Sequence, residues 1–236
     1  MKKISMLFMC MFLAIGMHAQ NIRGAWEVYT TTDSDEKLHS VVIFADGYQV
    51  ITTYNATTGA FISSNGGTWS LVGDTMTEMV EFHTDYPERV GSKVQFKVAI
   101  TDSTLQIVGN PTKLTRIDNG TPGKLQGAWL MSGRVRDGKT QTRDTSRPRK
   151  TMKILSGTRF QWIAYNTATK EFKGTGGGTY TTIGGTYTEN IEFFSKDDSK
   201  VNRSLAFTYE LIDGAWHHSG ISSKGNPIYE IWSVRE

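Results

Sequence analysis

An internal repeat is the feature that most limits how this chain can fold. Residues 159–194 align with residues 48–83 at a constant offset of 111. A fixed period of this kind indicates one structural unit used twice. The matched positions are mostly aromatic, glycine and acidic: Tyr54 with Tyr165, Phe61 with Phe172, Gly66 and Gly67 with Gly177 and Gly178, Glu78 with Glu189, and Glu81 with Glu192. The two halves of the chain are therefore expected to share one fold.

Each copy has the pattern of a series of β-strands. In the second copy Phe160 and Trp162 alternate with Gln161 and Ile163, and a period of two is that of a strand. The pair Gly184-Gly185 can supply the positive φ angles of a tight hairpin. Helix signals are nearly absent, which favours an all-β fold. The strands of the second copy are expected near 128–135, 150–156, 158–166, 171–182, 186–194, 203–212, 215–221 and 228–235.

Eight sequential antiparallel strands would leave two exposed sheet edges, and closure into a barrel removes them. The sequence therefore predicts two tandem antiparallel eight-stranded up-and-down β-barrels. The first covers 21–118, the second covers 127–236, and the turn-rich segment 119–126 links them. Trp26 and Trp129, in the Gly-Ala-Trp openings of the two copies, are expected to close the barrel bases. The alternative is one β-sandwich built from both halves.

The second copy also carries a motif of a known family. Its pattern FxWxxYNxxTxxFxxxGGGTYTxxGxTYTExIEF, followed by AWHHSG at 215–220 and Trp232, resembles small bacterial secreted lipocalin-like domains of unknown function, the DUF4488 type of the calycin class. The resemblance covers nearly all of 127–236 and implies lipocalin-like barrels more than any activity. It is weaker over 24–118, where Gln49, Ile51 and Asn65 replace Phe160, Trp162 and Gly176. If the family binds a molecule through its aromatic residues, the first copy is expected to have lost or changed that binding.

The N-terminal residues predict export. Lys2 and Lys3 precede an apolar run, 4–17, and Ala19 offers a small residue for cleavage, so 1–19 has the form of a signal peptide. The alternative, a membrane anchor, would need a longer apolar run. After cleavage the protein is expected in the periplasm or outside the cell. Cys10 is the only cysteine, so the cleaved chain has no disulfide, thiolate nucleophile or cysteine metal site.

Aromatic side chains of the second copy are the main candidates for a ligand site. An apolar pocket with a few placed polar groups is typical of small-molecule binding. The alternative is an ordinary packed core, because burial of such side chains is stabilising by itself. The candidate aromatic residues are Trp162, Tyr165, Tyr180, Tyr187, Trp216 and Trp232.

Polar anchors for a ligand are predicted among two carboxylates and two imidazoles. Glu189 and Glu192 are three apart, so on a strand they point to opposite faces and one could face the lumen. His217 and His218 are adjacent, so only one can point inward. The alternatives are structural carboxylates and solvent-facing or hydrogen-bonded imidazoles. No three residues have a recognisable metal spacing, and no metal or other cofactor is predicted.

The segment 134–153 carries eight basic and two acidic residues. We interpret it as a solvated loop. The alternatives are a basic flap that favours anionic ligands and a loop that docks on the acidic residues of 30–40. The cleaved chain as a whole has nearly balanced charge, which does not indicate nucleic-acid binding.

The predicted function is an exported lipocalin-like protein that binds a small apolar or amphipathic molecule, mainly in the second barrel. The alternative is a structural or interaction module with packed barrels that binds proteins or glycans through its loops. No nucleophile elbow or HExxH motif occurs, so an enzyme is the third hypothesis, with Glu189 and a tyrosine in proton transfer. No membrane span is predicted for the cleaved chain.

Overall fold

A computed structural model describes residues 21–121 and 123–236. The described chain forms two closed eight-stranded antiparallel barrels, which confirms the predicted all-β fold and excludes the single sandwich. The predicted signal peptide and Pro122 of the predicted linker lie outside the described residues. Among the residues described, no helix has the length and apolar character needed to cross a membrane.

The first barrel is an up-and-down meander. Each strand pairs with the next, and β8 returns to pair with β1. A short 3-10 helix, Pro87–Arg89, connects β5 and β6. The strands are β1 (Gly24–Thr31), β2 (Lys37–Phe44), β3 (Tyr48–Asn55), β4 (Phe61–Val72), β5 (Thr75–His83), β6 (Lys93–Ile100), β7 (Thr104–Ile107) and β8 (Lys113–Asp118).

The second barrel repeats this plan with one additional strand. The barrel closes by pairing of β9 with β17, and β10 pairs with the C-terminal end of β9, residues 133–136. Because β10 and the ends of β9 and β11 lie within 134–153, the prediction of a long basic loop is wrong for most of that segment. The strands are β9 (Gly127–Arg136), β10 (Lys139–Thr142), β11 (Arg149–Leu155), β12 (Arg159–Asn166), β13 (Glu171–Ile183), β14 (Thr186–Phe194), β15 (Ser204–Ile212), β16 (Ala215–Ile221) and β17 (Pro227–Val234).

A β-bulge sits at the same place in both copies. The pairing register shifts at Gly67 in the first barrel and at Gly178 in the second. A Cβ atom would lie 1.9 Å from the Met79 carbonyl oxygen at Gly67 and 2.1 Å from the Asn190 carbonyl oxygen at Gly178, so only glycine fits. The residues left over by the shift are Glu81 and Glu192, and the bulges turn both carboxylates out of their barrels.

The two barrels pack against each other through an apolar core. Three buried clusters are present, one inside each barrel and a third that draws on both. Against the third, the partly buried Phe61 and Phe172 stack with ring centroids 5.9 Å apart. The buried members of this interface are Ala25, Val41, Ile43, Ala45, Tyr48, Val50, Tyr54 and Phe82 from the first half, and Ala128, Leu130, Met152, Ile154, Ile163, Tyr165 and Phe193 from the second.

Equivalent tyrosine–glutamate hydrogen bonds occur twice at this interface, once from each copy. Tyr54 donates to Glu192 at 2.6 Å, and its counterpart Tyr165 donates to Glu81 at 2.5 Å. Each carboxylate also pairs with an arginine, Glu192 with Arg159 and Glu81 with Arg235. Since the repeated residues face each other across the interface, the two copies are related by an approximate two-fold axis.

Asp118 joins the end of the first barrel to the second. Its carboxylate accepts hydrogen bonds from Ser156 Oγ at 2.8 Å, Gly157 N at 3.1 Å and Thr158 Oγ1 at 2.6 Å, all in the β11–β12 turn. Burial alone would raise the pKa of Asp118, but these hydrogen bonds and one from the Gly120 amide outweigh it and lower the pKa.

Replacement of Asp118 by alanine is expected to lower the free energy of unfolding by about 2–3 kcal/mol, because several donors of the β11–β12 turn lose one ionised acceptor. A carboxyl with a lowered folded pKa stabilises above its ordinary pKa and loses that contribution in acid. The difference between wild type and Asp118→Ala should therefore shrink as the pH falls below about 4. Urea unfolding at pH 7 and pH 3 measures both effects. Glu210→Ala, which removes an exposed carboxylate, is the control; an equal loss in both variants would contradict this role for Asp118.

Candidate functional site

The lumen of the second barrel contains a cavity of about 280 Å³. Its walls are largely apolar, and the β16–β17 connection, with Ser222, Ser223 and Lys224, lies along it. Besides Lys224, four ionisable side chains on the strands line it: Lys153, Glu189, His218 and Glu230. An apolar cavity with a few convergent polar groups is the usual form of a small-molecule site. The apolar lining consists of Trp162, Ile191, Phe194, Leu205, Phe207, Ile228 and Trp232.

An ion pair occupies the inner part of this lumen. Lys153 Nζ lies 2.7 Å from Glu189 Oε1, and both side chains are 6% exposed. The ammonium group also lies among aromatic rings, with centroids at 5.0 Å for Tyr187, 4.9 Å for Trp216 and 5.2 Å for Trp232. Aromatic faces attract cations, so these rings form a cage around the protein's own lysine.

His218 and Glu230 form a second polar group. The His218 Nδ1 atom lies 3.5 Å from Glu230 Oε2, and the imidazole packs on Phe207 with centroids 4.1 Å apart. Burial lowers the pKa of His218, and the nearby Lys153 ammonium lowers it further. His218 is therefore neutral at pH 7.

Several buried polar atoms in this barrel make no hydrogen bond within the described part of the chain. Buried polar groups normally have a partner, and one left without a partner is destabilising. Their presence gives the lumen unused hydrogen-bonding capacity. The atoms are the Tyr187 hydroxyl, the indole nitrogens of Trp216 and Trp232, and both ring nitrogens of His218.

Seven of the ten predicted ligand residues belong to this lumen, including Tyr187, whose ring lies against the Lys153 ammonium group. Trp162, Glu189, His218 and Trp232 line the cavity. Trp216 and Tyr180 lie deeper in the same apolar cluster, where the Tyr180 hydroxyl donates to the Ser156 carbonyl oxygen at 2.6 Å. These two support the cavity rather than line it.

Tyr165, Glu192 and His217 lie outside the lumen, which corrects their predicted place in a ligand site. Tyr165 has the opposite strand parity to Trp162 and faces the first barrel. Glu192 is the bulged residue and pairs with Tyr54 and Arg159. His217 points outward, where its Nδ1 atom lies 3.1 Å from the Tyr229 hydroxyl.

Two important residues were not predicted, Lys153 and Glu230. Lys153 was counted with the basic segment, although Met152 and Ile154 flank it and both are fully buried. The sequence signal for an inward-facing lysine is that Lys153 is the one charged residue in the apolar run 152–155. Glu230 stands two residues before Trp232 on β17, and the same parity places both side chains toward the lumen.

The first barrel also contains a cavity, of about 370 Å³. Gln49, Ile51 and Asn65, the residues that distinguish the first copy from the second, all line it. It also contains Glu78, for which the described residues provide no hydrogen-bond or ion-pair partner, and burial raises the pKa of this carboxyl to about 7. The first copy, which has Gln49 and Ile51 in place of Phe160 and Trp162, therefore has a larger cavity than the second copy.

Groups of three or more His, Cys, Asp or Glu side chains placed to hold a metal ion do not occur among the described residues. A search of family models finds no match to this chain. A search of curated proteins likewise finds no significant relative. The resemblance to the DUF4488 type therefore remains a prediction from the motif of the second copy.

Proposed function

We propose that this protein is an exported lipocalin-like binding protein whose second barrel takes a small apolar or amphipathic molecule. The observation that carries the proposal is the second-barrel cavity, apolar along its walls and polar at Lys153, Glu189, His218 and Glu230. The apolar part of a ligand would lie against Trp162 and Phe194. Its polar end would meet His218 and Glu230. Export rests on the sequence of residues 1–19 alone.

Two other functions have less support. A packed interaction module would need filled lumens, whereas both barrels contain cavities. An enzyme that uses Glu189 as a base would need a free carboxylate there. Because Lys153 holds Glu189 in an ion pair, that role is not supported.

Tryptophan fluorescence should detect binding, because Trp162 lines the cavity. With a panel of fatty acids, bile acids and porphyrins, we expect at least one compound to quench or shift the emission of the wild type. Trp162→Ala should weaken that binding about tenfold or more, since the contact buries a large apolar surface.

The matched control is Ile163→Val, the next residue on β12, which faces the other barrel. It should leave the affinity unchanged. The proposal fails if no compound binds and mass spectrometry of protein purified from its own host finds no associated small molecule. Equal weakening in both variants would also count against the second-barrel site.

A further inference from the structure

Glu189 and Glu78 occupy the same position in the two barrels, but within the described residues only Glu189 has a lysine beside it. Glu189 pairs across the strands with Tyr180 and Leu205, and Glu78 pairs at the same register with Trp69 and Val94. In the second barrel an ammonium group reaches this carboxylate from Lys153. The corresponding residue in the first barrel is Val42.

The pairing registers confirm that Val42 and Lys153 are equivalent. Val42 lies between Trp26 and Ile51, and Lys153 lies between Trp129 and Trp162. Both side chains face a lumen, since Val42 and Lys153 each line the cavity of their barrel. The first barrel therefore has the carboxylate without the cation.

The space around Glu78 is suited to a ligand. The cavity of about 370 Å³ is larger than the one in the second barrel, and its walls are mostly aliphatic or aromatic. Besides Glu78, only His83 and Arg89 are ionisable among the residues that line it. Arg89 is exposed on the 3-10 helix, and His83 Nδ1 accepts from the Asp85 and Tyr86 amides, so neither is engaged with Glu78.

We propose that the first barrel binds a protonated organic amine with an apolar body, whose ammonium group pairs with Glu78 as Lys153 pairs with Glu189. The second barrel provides the template, because there an ammonium on an aliphatic chain fills this position and forms a 2.7 Å contact. In the first barrel the same chemistry would have to come from outside. The raised pKa of Glu78 agrees with a partly buried carboxyl that lacks a cation.

Isothermal titration calorimetry with octylamine and 1-octanol tests the proposal, because the two probes share an alkyl chain and differ in charge. We expect octylamine to bind the full-length chain about tenfold more tightly at pH 8, since a charge-assisted contact with Glu78 is available only to the amine. The preference should weaken toward pH 6, as Glu78 takes up a proton. His83 also lines this cavity, so the pH dependence is assigned to Glu78 only if it disappears in Glu78→Gln.

Glu78→Gln should remove the preference for octylamine without loss of the fold, because it replaces a partly buried carboxyl with a neutral group of the same shape. Glu210→Gln, on an exposed strand face, should retain it. Val42→Lys should likewise remove the preference for octylamine over octanol, since the new ammonium would occupy the place of the ligand's ammonium group. Octylamine affinity that is unchanged in Glu78→Gln, or equal affinities for octylamine and octanol in the wild type, would overturn the proposal. Neither result would contradict the proposed ligand site of the second barrel, which Trp162→Ala tests separately.

Discussion

Lys153→Ala is expected to lower the free energy of unfolding by about 3–5 kcal/mol, the usual loss when one member of a buried ion pair is removed. Lys153 and Glu189 are both 6% exposed, so the remaining carboxyl would be left without its counter-ion inside an aromatic cluster. The cation–π contacts of the ammonium with Tyr187, Trp216 and Trp232 would be lost as well.

The loss should depend on pH in a defined direction. A protonated Glu189 carries no charge to bury, so the difference between wild type and Lys153→Ala should be small near pH 4 and full above pH 7. In the first barrel, where Val42 stands in place of Lys153, burial raises the pKa of the equivalent glutamate, Glu78, to about 7.

Two further variants complete the test of the ion pair. The double variant Lys153→Met, Glu189→Leu should recover most of the stability, because buried ion pairs are often replaced by apolar residues at little loss. Lys97→Ala, which removes an exposed partner of Asp74, should have a small effect. Urea unfolding of all four proteins at pH 4 and pH 8 measures these differences. A Lys153→Ala variant as stable as Lys97→Ala would show that the pair is not buried in solution.

The strands could be predicted from sequence because turns are specified locally. The Gly184-Gly185 pair adopts φ angles of 57° and 78°, as a tight hairpin requires. The strand expected at 186–194 is β14, Thr186–Phe194. Closure into barrels then followed from the need to pair sheet edges.

The interface between barrels was missed because strand periodicity was used to assign only one buried face. The runs 41–44 and 152–155 are apolar at nearly every position, which is the pattern of a strand buried on both sides. Even with that pattern recognised, the identity of the surface that covers the outer face depends on tertiary packing. For this reason Tyr165 and Glu192 were assigned to a lumen and belong to the interface.

The position of Lys153 shows a related limit of charge counting. Its seven basic neighbours in 134–153 made it part of a surface segment, whereas its strand parity sets it beside Trp162 in the lumen. Whether a lysine inside a strand reaches solvent or turns inward depends on an available counter-ion. Here Glu189 supplies it from β14, far away in sequence and adjacent in the barrel.

The largest effect at the interface is expected for Phe193. Its ring is 3% exposed and packs on Tyr54 with centroids 4.9 Å apart, so Phe193→Ala should lower the free energy of unfolding by about 3–5 kcal/mol. Phe193→Ala should also weaken the coupling between the two barrels, because the contact of Phe193 with Tyr54 joins them through their shared apolar core. The wild type should unfold in a single transition, whereas the variant should unfold in two.

The neighbouring residue provides a matched control, since Phe194 faces the second lumen and packs on Trp162. Phe194→Ala should weaken ligand binding and destabilise less, because its ring already borders a cavity. Hydrogen exchange followed by mass spectrometry separates the two roles. Phe193→Ala should accelerate exchange in β3 of the first barrel, which holds Tyr54, and Phe194→Ala should not. If both variants leave exchange in β3 unchanged, the barrels are stable independently and the shared core does not couple them.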